Sequence, residues 1–197
     1  MGKTNAHGGS DDSVLVGLLN GSLRELSNEN ITSLYNYALM RKPLTSVDLP
    51  NVTSVGSSAF AYDGNLNYVN LPECTSLSSD VFLSAITQNA IVNIPKVTTI
   101  NSWTFSTSNI SFLDLPKVSA ISANAFNGAS KLKKLVLRNS SVVTLGNVNA
   151  FVGTVFRNGT GGTIYVPRAL ISSYQSDAKW GSLESTTFSA IEGSDYE

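Results

Sequence analysis

The chain has 197 residues, of which 13 are basic and 14 are acidic, giving a net charge of -1 at pH 7. This balance excludes the broad electrostatic attraction on which binding to nucleic acid or to an anionic membrane surface depends. The single cysteine excludes an internal disulfide framework and a zinc site built from several cysteines. No apolar run approaches the roughly 20 residues of a membrane-spanning helix, so we expect no membrane insertion.

Residues 1–22 are predicted to be a flexible leader followed by the start of an amino-terminal cap. The first residues, MGKTNAHGGSDDS, lack the apolar middle region of a secretion signal. The only histidine, His7, falls in this leader, so a Ser-His-Asp or Cys-His arrangement would have to recruit a mobile tail. The acidic residues near the two ends do not match the spacing of a calcium loop. We therefore predict no catalytic residue, no metal site and no cofactor.

A repeat occupies the middle of the chain. Four pairs of an apolar residue and proline follow one another at spacings of 22, 23 and 21 residues. In every unit an apolar residue stands two and five positions after the proline, and a phenylalanine stands ten positions after it. The variation in length falls between each phenylalanine and the next pair, which predicts that insertions are confined to one loop. The pairs are Leu49-Pro50, Leu71-Pro72, Ile94-Pro95 and Leu115-Pro116, and the phenylalanines are Phe60, Phe82, Phe105 and Phe126.

Two irregular units flank these four. A fifth unit runs over residues 132–151 and has Arg138 in place of the proline. An eroded first unit keeps its apolar positions at Ile31, Leu34 and Leu39. Residues 23–154 are therefore predicted to form about six coils, since a period of this length is typical of stacked repeats.

Each coil is predicted to contain one short strand. In LTSVDL, residues 44–49, the last three residues alternate so that Val47 and Leu49 point inward and Asp48 points outward. The proline that follows cannot donate to a strand ladder and ends the strand. Stacked coils then build a right-handed, strand-dominated α/β solenoid with a parallel ladder. Cys74 occupies the register of inward valines, which predicts a small buried hydrophobe.

Residues 155–197 are predicted to form a carboxy-terminal cap. Val166 continues the inward strand pattern, and Pro167 suits the first turn of a helix. The helix is expected to cover the open end of the last coil, with Trp180 and Phe188 beneath it. Its apolar face comprises Leu170, Ile171, Tyr174 and Ala178.

The register also predicts a candidate binding face, because a solenoid presents the outward residues of its ladder as one surface. Tyr68, Ile91 and Phe112 are predicted to stand on adjacent strands. They have two open interpretations: cross-strand packing that stabilises the ladder, or a platform for a sugar ring or a partner's apolar side chain. The flanking hydrogen-bonding groups are Asp48, Asn70, Asn93 and Asp114. The two full columns are Glu25, Ser46, Tyr68, Ile91, Phe112, Lys134 and Thr163, and Ser27, Asp48, Asn70, Asn93, Asp114, Val136 and Tyr165.

The consensus L-x-x-V-x-L-P-x-V-x-x-I-x-x-x-A-F, clearest in residues 49–60 and 115–126, resembles the bacterial BspA-like leucine-rich repeats. The end of the chain, from IYVPRALISSYQSDAKW, is similar to the terminal cap of family members from gut bacteria and prophages. The chain departs from the family where a cysteine often follows the phenylalanine motif, since Tyr62-Asp63-Gly64 stands there. The resemblance implies a non-enzymatic solenoid that binds proteins or glycans outside the cell, on a bacterial surface or a phage particle. The competing hypothesis is a spacer or assembly domain in a larger surface or phage tail protein.

Overall fold

The computed structural model describes residues 21–159 and 161–197. Residues 1–20 of the predicted leader, including His7 and the acidic pair at residues 11 and 12, lie outside the described residues. Short strands dominate the described part of the chain, and all the strand pairs are parallel. The predicted strand-dominated solenoid of stacked coils is confirmed.

Successive coils contribute to two strand ladders. The long ladder consists of β1 (Glu25–Ser27), β3 (Ser46–Asp48), β5 (Leu66–Asn70), β7 (Ile86–Asn93), β9 (Phe112–Leu115), β11 (Lys134–Leu137), β13 (Gly162–Val166) and β14 (Thr186–Ala190). The short ladder consists of the two-residue strands β2 (Ser33–Leu34), β4 (Ser54–Val55), β6 (Ser76–Leu77), β8 (Thr99–Ile100), β10 (Ala120–Ile121) and β12 (Thr144–Leu145). The sequence pattern predicted only the long ladder, because two residues are too few to show an alternation.

The predicted phenylalanines form a file along the interior. The rings of Phe60, Phe82, Phe105, Phe126 and Phe151 stack in chain order, with centroids 5.3 to 5.6 Å apart. All five side chains are fully buried. A row of backbone hydrogen bonds runs beside the file. From Phe60 to Phe126, the N–H of each phenylalanine donates to a carbonyl in the next coil, and that carbonyl belongs to the residue just before the next phenylalanine, at 2.8 to 3.0 Å. The file therefore joins the coils through side chains and backbone at once.

The turns around this file use left-handed backbone conformations. Ser58 and Tyr62 lie two residues before and after Phe60 and have φ angles of 56° and 64°. The same two positions are left-handed around Phe82 and Phe105. Glycine takes the second position after the next two phenylalanines, as Gly128 and Gly153, each with φ of 73°. The tight bend costs non-glycine residues about 1–2 kcal/mol each, which the inter-coil hydrogen bonds help to offset.

One unit departs from the predicted location of insertions. Leu66 of β5 pairs with Ile86 of β7, yet Tyr68 pairs with Ile91, so five residue steps in β7 match two in β5. The prediction that insertions are confined to the loop after the phenylalanine is therefore wrong in this unit. The chain reaches the core early, because Ile86 is buried only four residues after Phe82, and the surplus residues enter the strand as a bulge.

The cap closes the last coil with two aromatic side chains. It contains α1 (Val155–Asn158), a 3-10 turn at Arg168–Leu170, α2 (Ile171–Ser176) and a second turn at Trp180–Ser182. The Tyr174 hydroxyl accepts a hydrogen bond from the Val143 N–H at 3.0 Å, and the Trp180 indole donates to the Val143 carbonyl at 2.6 Å. Phe188 packs against both rings, as predicted. A third 3-10 turn, Val148–Phe151, carries the last ring of the file.

The predicted helical face is wrong at its last position. The helix ends at Ser176, because Asp177 adopts an extended conformation with ψ of 134°. The Asp177 carboxylate accepts hydrogen bonds from the N–H groups of Lys179 and Trp180 at 2.8 and 2.9 Å, which starts a new turn. Ala178 is consequently exposed, outside the helix.

Candidate binding face

The register of the predicted columns is confirmed within each half of the long ladder. The ladder consists of two four-stranded sheets, one from β1 to β7 and one from β9 to β14. The aligned residues are Glu25, Ser46, Tyr68 and Ile91 beside Ser27, Asp48, Asn70 and Asn93 in the first sheet, and Phe112, Lys134 and Thr163 beside Asp114, Val136 and Tyr165 in the second.

The two sheets part between Ile91 and Phe112, which the sequence predicted to be neighbours in one row. In the first part of β7 the coils still join, since Asn109 and Ser111 donate backbone hydrogen bonds to the carbonyls of Ile86 and Gln88 at 2.9 and 3.1 Å. After the bulge, residues 91–93 have no paired register with β9. The surplus residues in β7 therefore interrupt the ladder at this point.

A cleft of about 510 Å³ opens where the sheets part. We call it the ladder cleft. It brings together five of the seven predicted site residues, and Asp48 and Phe112 are not among its lining. The lining consists of Tyr68, Asn70, residues 91–95, Asp114 and Pro116.

The ladder cleft exposes apolar surface that the other coils bury. Ile91 is 63% exposed, the most exposed of the large hydrophobic side chains described. Val92 is partly exposed, although its register partner Val69 and the equivalent Val47 are fully buried. Half-exposed aliphatic surface beside a concavity is typical of an interaction site, because its removal from water on binding is favourable.

The polar column beside the cleft is joined by its own hydrogen bonds. The amide nitrogen of Asn93 donates to the side-chain oxygen of Asn70 at 2.7 Å, and Asn70 in turn donates to Asp48 at 2.8 Å. This chain of side chains fixes the orientation of the Asn70 amide, so Asn70 acts first as a support of the face.

Across the cleft, Asp114 is held by Arg138. The guanidinium contacts both carboxylate oxygens, with the shortest distance 2.8 Å. The hydrogen bond to Asp114 raises the pKa of Arg138 above its already high ordinary value. Arg138 is the residue that replaces the repeat proline, and it places a paired charge at the edge of the cleft.

The repeat geometry agrees with a comparison against protein-family models. The model for the BspA type leucine-rich repeat region matches residues 32–157 in six copies. The chain belongs to this family. Leucine-rich repeats of this kind form protein-interaction modules, which fits a face with an apolar cleft. A comparison with curated proteins found no match.

The structure separates Phe112 from the rest of the predicted platform of this BspA type repeat chain. Its ring is 37% exposed and stacks on Tyr196, with centroids 5.2 Å apart. Val136, predicted to point outward, lies outside the core cluster yet is fully buried. Its strand neighbours are Asp114, which Arg138 contacts, and Tyr165, which Tyr196 contacts. Part of the carboxy-terminal half of the face is therefore covered.

Sequence reasoning missed Val92 and the two lining prolines as parts of a site. Val92 reads as an inward core residue in the repeat alignment, and its partial exposure depends on the break in the ladder. The available signal was the spacing of 23 residues between Pro72 and Pro95, the longest of the three. That spacing indicated a surplus residue without showing whether the strand or the loop would take it.

The residues with potential chemistry fit structural roles in the described part of the chain. Cys74 is fully buried, and burial raises the pKa of its thiol to about 11, which disfavours the reactive thiolate. Within residues 21–159 and 161–197, no cluster of three metal-ligating side chains occurs. No helix in the same ranges has the length and apolarity to span a membrane.

Proposed function

We propose that this chain is a non-enzymatic binding module that takes an apolar side chain of a protein partner into the ladder cleft. The observation that carries the proposal is the exposure of Ile91 and Val92 beside the cleft, at the one register where the two long-ladder sheets separate. Tyr68 adds an aromatic ring on the neighbouring strand, and Asn93 offers polar contacts at the rim.

The composition of the cleft favours a protein over a sugar. Adjacent aromatic rings favour the stacking of a sugar, and the row proposed from the sequence is divided because Phe112 stacks on Tyr196. Ile91 and Val92 are aliphatic and offer no ring face. Burying an isoleucine side chain against a partner is worth about 1.5–3 kcal/mol, or roughly 10- to 150-fold in affinity.

The test begins with an array of extracellular proteins and glycans probed with the wild-type chain. Each hit is then measured with the Ile91→Glu variant and with the Ser76→Glu control, which adds the same charge at an exposed site of the short ladder. We expect Ile91→Glu to weaken binding at least tenfold and Ser76→Glu to leave it unchanged, with equal urea midpoints for both variants. Full binding by Ile91→Glu would refute the site, and hits confined to glycans would refute the choice of a protein partner.

We also propose that the module is displayed outside the cell or on a phage particle. The support is the resemblance of its repeats and cap to those of bacterial surface and prophage proteins. Protease treatment of intact source cells, followed by antibody detection, tests the surface location. Protection of the chain in intact cells, together with its absence from purified phage particles, would refute it.

A further inference from the structure

A second site on the same face is already occupied by the chain itself. The segment of residues 192–197 crosses the outward surface of β9, β11 and β13, and Tyr196 contacts one side chain of each strand. Its ring stacks on Phe112 at 5.2 Å and meets the edge of Tyr165 at 4.6 Å. The Lys134 ammonium donates a hydrogen bond to the Tyr196 hydroxyl at 3.0 Å and lies 5.6 Å from the ring centroid.

Tyr196 makes aromatic contacts through its ring and a polar contact through its hydroxyl. Stacked and edge-to-face arrangements are the preferred geometries of aromatic pairs, and an ammonium beside the ring adds a cation–π attraction. The hydrogen bond to Tyr196 raises the pKa of Lys134, which is consistent with a contact between the ammonium and the hydroxyl. Val136 is fully buried although it lies outside the core cluster, and its register neighbours are Asp114 and Tyr165.

The segment is anchored at its start and otherwise folds on itself. Arg168 donates to Glu192 through its backbone N–H and its guanidinium, both at 2.8 Å. Beyond Glu192 the hydrogen bonds of Gly193 and Ser194 connect residues 191–197 with one another. Among the described residues, Tyr196 therefore supplies the ring contacts and the hydrogen bond between the end of the segment and the strand face.

We propose that Phe112, Lys134, Val136 and Tyr165 form a receptor site for a tyrosine side chain in an acidic peptide, and that residues 192–197 occupy it in cis. The occupant is defined by the segment itself, because Asp195 and Glu197 flank Tyr196 and the site contains the cation Lys134. A partner with such a peptide must displace the chain's own segment. This site is separate from the ladder cleft and does not depend on its proposed function.

The test uses the full chain with Tyr196→Ala, which vacates the site and leaves the repeats intact. The probe is the acetylated and amidated pentapeptide of residues 193–197, titrated into ¹⁵N-labelled protein while the amide signals are followed by NMR. We expect saturable shifts at Phe112, Lys134 and Tyr165 in the variant, and at least fivefold weaker binding to wild type, where the probe competes with the attached segment. A probe with serine in place of tyrosine should produce no shifts.

Two further variants distinguish binding at the receptor site from a general effect of removing the Tyr196 side chain. Adding Lys134→Gln to Tyr196→Ala should weaken the probe several-fold and reduce the dependence of its affinity on salt. Tyr196→Phe retains the ring contacts and loses the hydrogen bond from Lys134, so probe affinity should fall between wild type and Tyr196→Ala. Shifts absent from all three receptor residues in Tyr196→Ala, or equal affinities for that variant and wild type, would overturn the proposal.

Discussion

Asp63 provides a quantitative test of the packing of the turns. The residue is 5% exposed, and its Oδ1 accepts a hydrogen bond from the Lys42 N–H at 2.7 Å. Its Oδ2 is buried with no hydrogen-bond partner among the described residues. Burial raises the pKa of Asp63 from 3.8 to about 8, and the hydrogen bond and charge of Lys42 oppose the rise. The folded chain therefore holds this carboxyl protonated at neutral pH.

The sign of the pH dependence follows from this raised pKa. Well below pH 3.8 the group is protonated in the folded and unfolded chains, so it contributes no penalty. Between pH 4 and pH 8 the unfolded chain releases the proton while the folded chain keeps it, and the free energy of unfolding falls as pH rises. The slope approaches 1.4 kcal/mol per pH unit, which amounts to about 4 kcal/mol between pH 4.5 and 7.5.

The perturbation is Asp63→Asn, which removes the titration and keeps an oxygen for the Lys42 N–H. Urea unfolding at pH 4.5, 6.0 and 7.5 gives the free energy of unfolding of both proteins, and other titrating groups cancel in the difference. We expect the variant to gain about 4 kcal/mol relative to wild type across this range. The exposed Glu184→Gln controls for the loss of one carboxylate. A relative gain below about 1 kcal/mol would refute the inference that Asp63 is buried and protonated.

Three further predictions concern the core and the cap. Phe105→Ala should lower the free energy of unfolding in urea by about 3–5 kcal/mol, because the ring is stacked on both sides, and a loss below 1 kcal/mol would contradict the phenylalanine file. Tyr174→Phe should lower the free energy of unfolding by about 1–3 kcal/mol, because the buried Val143 N–H loses its acceptor; an unchanged midpoint of thermal unfolding would exclude that role for the hydroxyl. Cys74 should react with a maleimide only after unfolding, so rapid labelling of native protein, followed by mass spectrometry, would show that the coil is open there.

Much of the fold was predictable because equivalent residues recur at fixed positions. The ten-residue interval from each repeat proline to its phenylalanine defined the interior file, and the alternation in LTSVDL defined which side of the ladder Asp48 faces. Both depend only on local chain geometry, which stacking then repeats. The strand pairs of β3 with β5, and of β11 with β13, accordingly follow the predicted register.

The parts of the face that matter for binding were less predictable, because they depend on departures from the repeat. The surplus between Phe82 and Ile94 could be absorbed in a loop or in a strand, and early burial of Ile86 decided in favour of the strand. Tyr196 stands 60 residues beyond Val136 in a segment with no periodicity, so nothing local indicated where its ring would lie. Contacts of this kind are set by the folded surface and have no pattern in the sequence.

These two departures divide one repetitive surface into unlike halves. Had β7 kept the length of β5, residues 91–93 would have continued the ladder, and Val92 would be expected to share the burial of Val69. Without Tyr196, Phe112 and Tyr165 would extend the exposed face across the second sheet. Regular coils therefore supply the scaffold, while the bulge opens one site and the closing segment covers another. Specificity in this chain is expected to depend on these two irregular segments, since the inward residues of the regular coils are committed to the core.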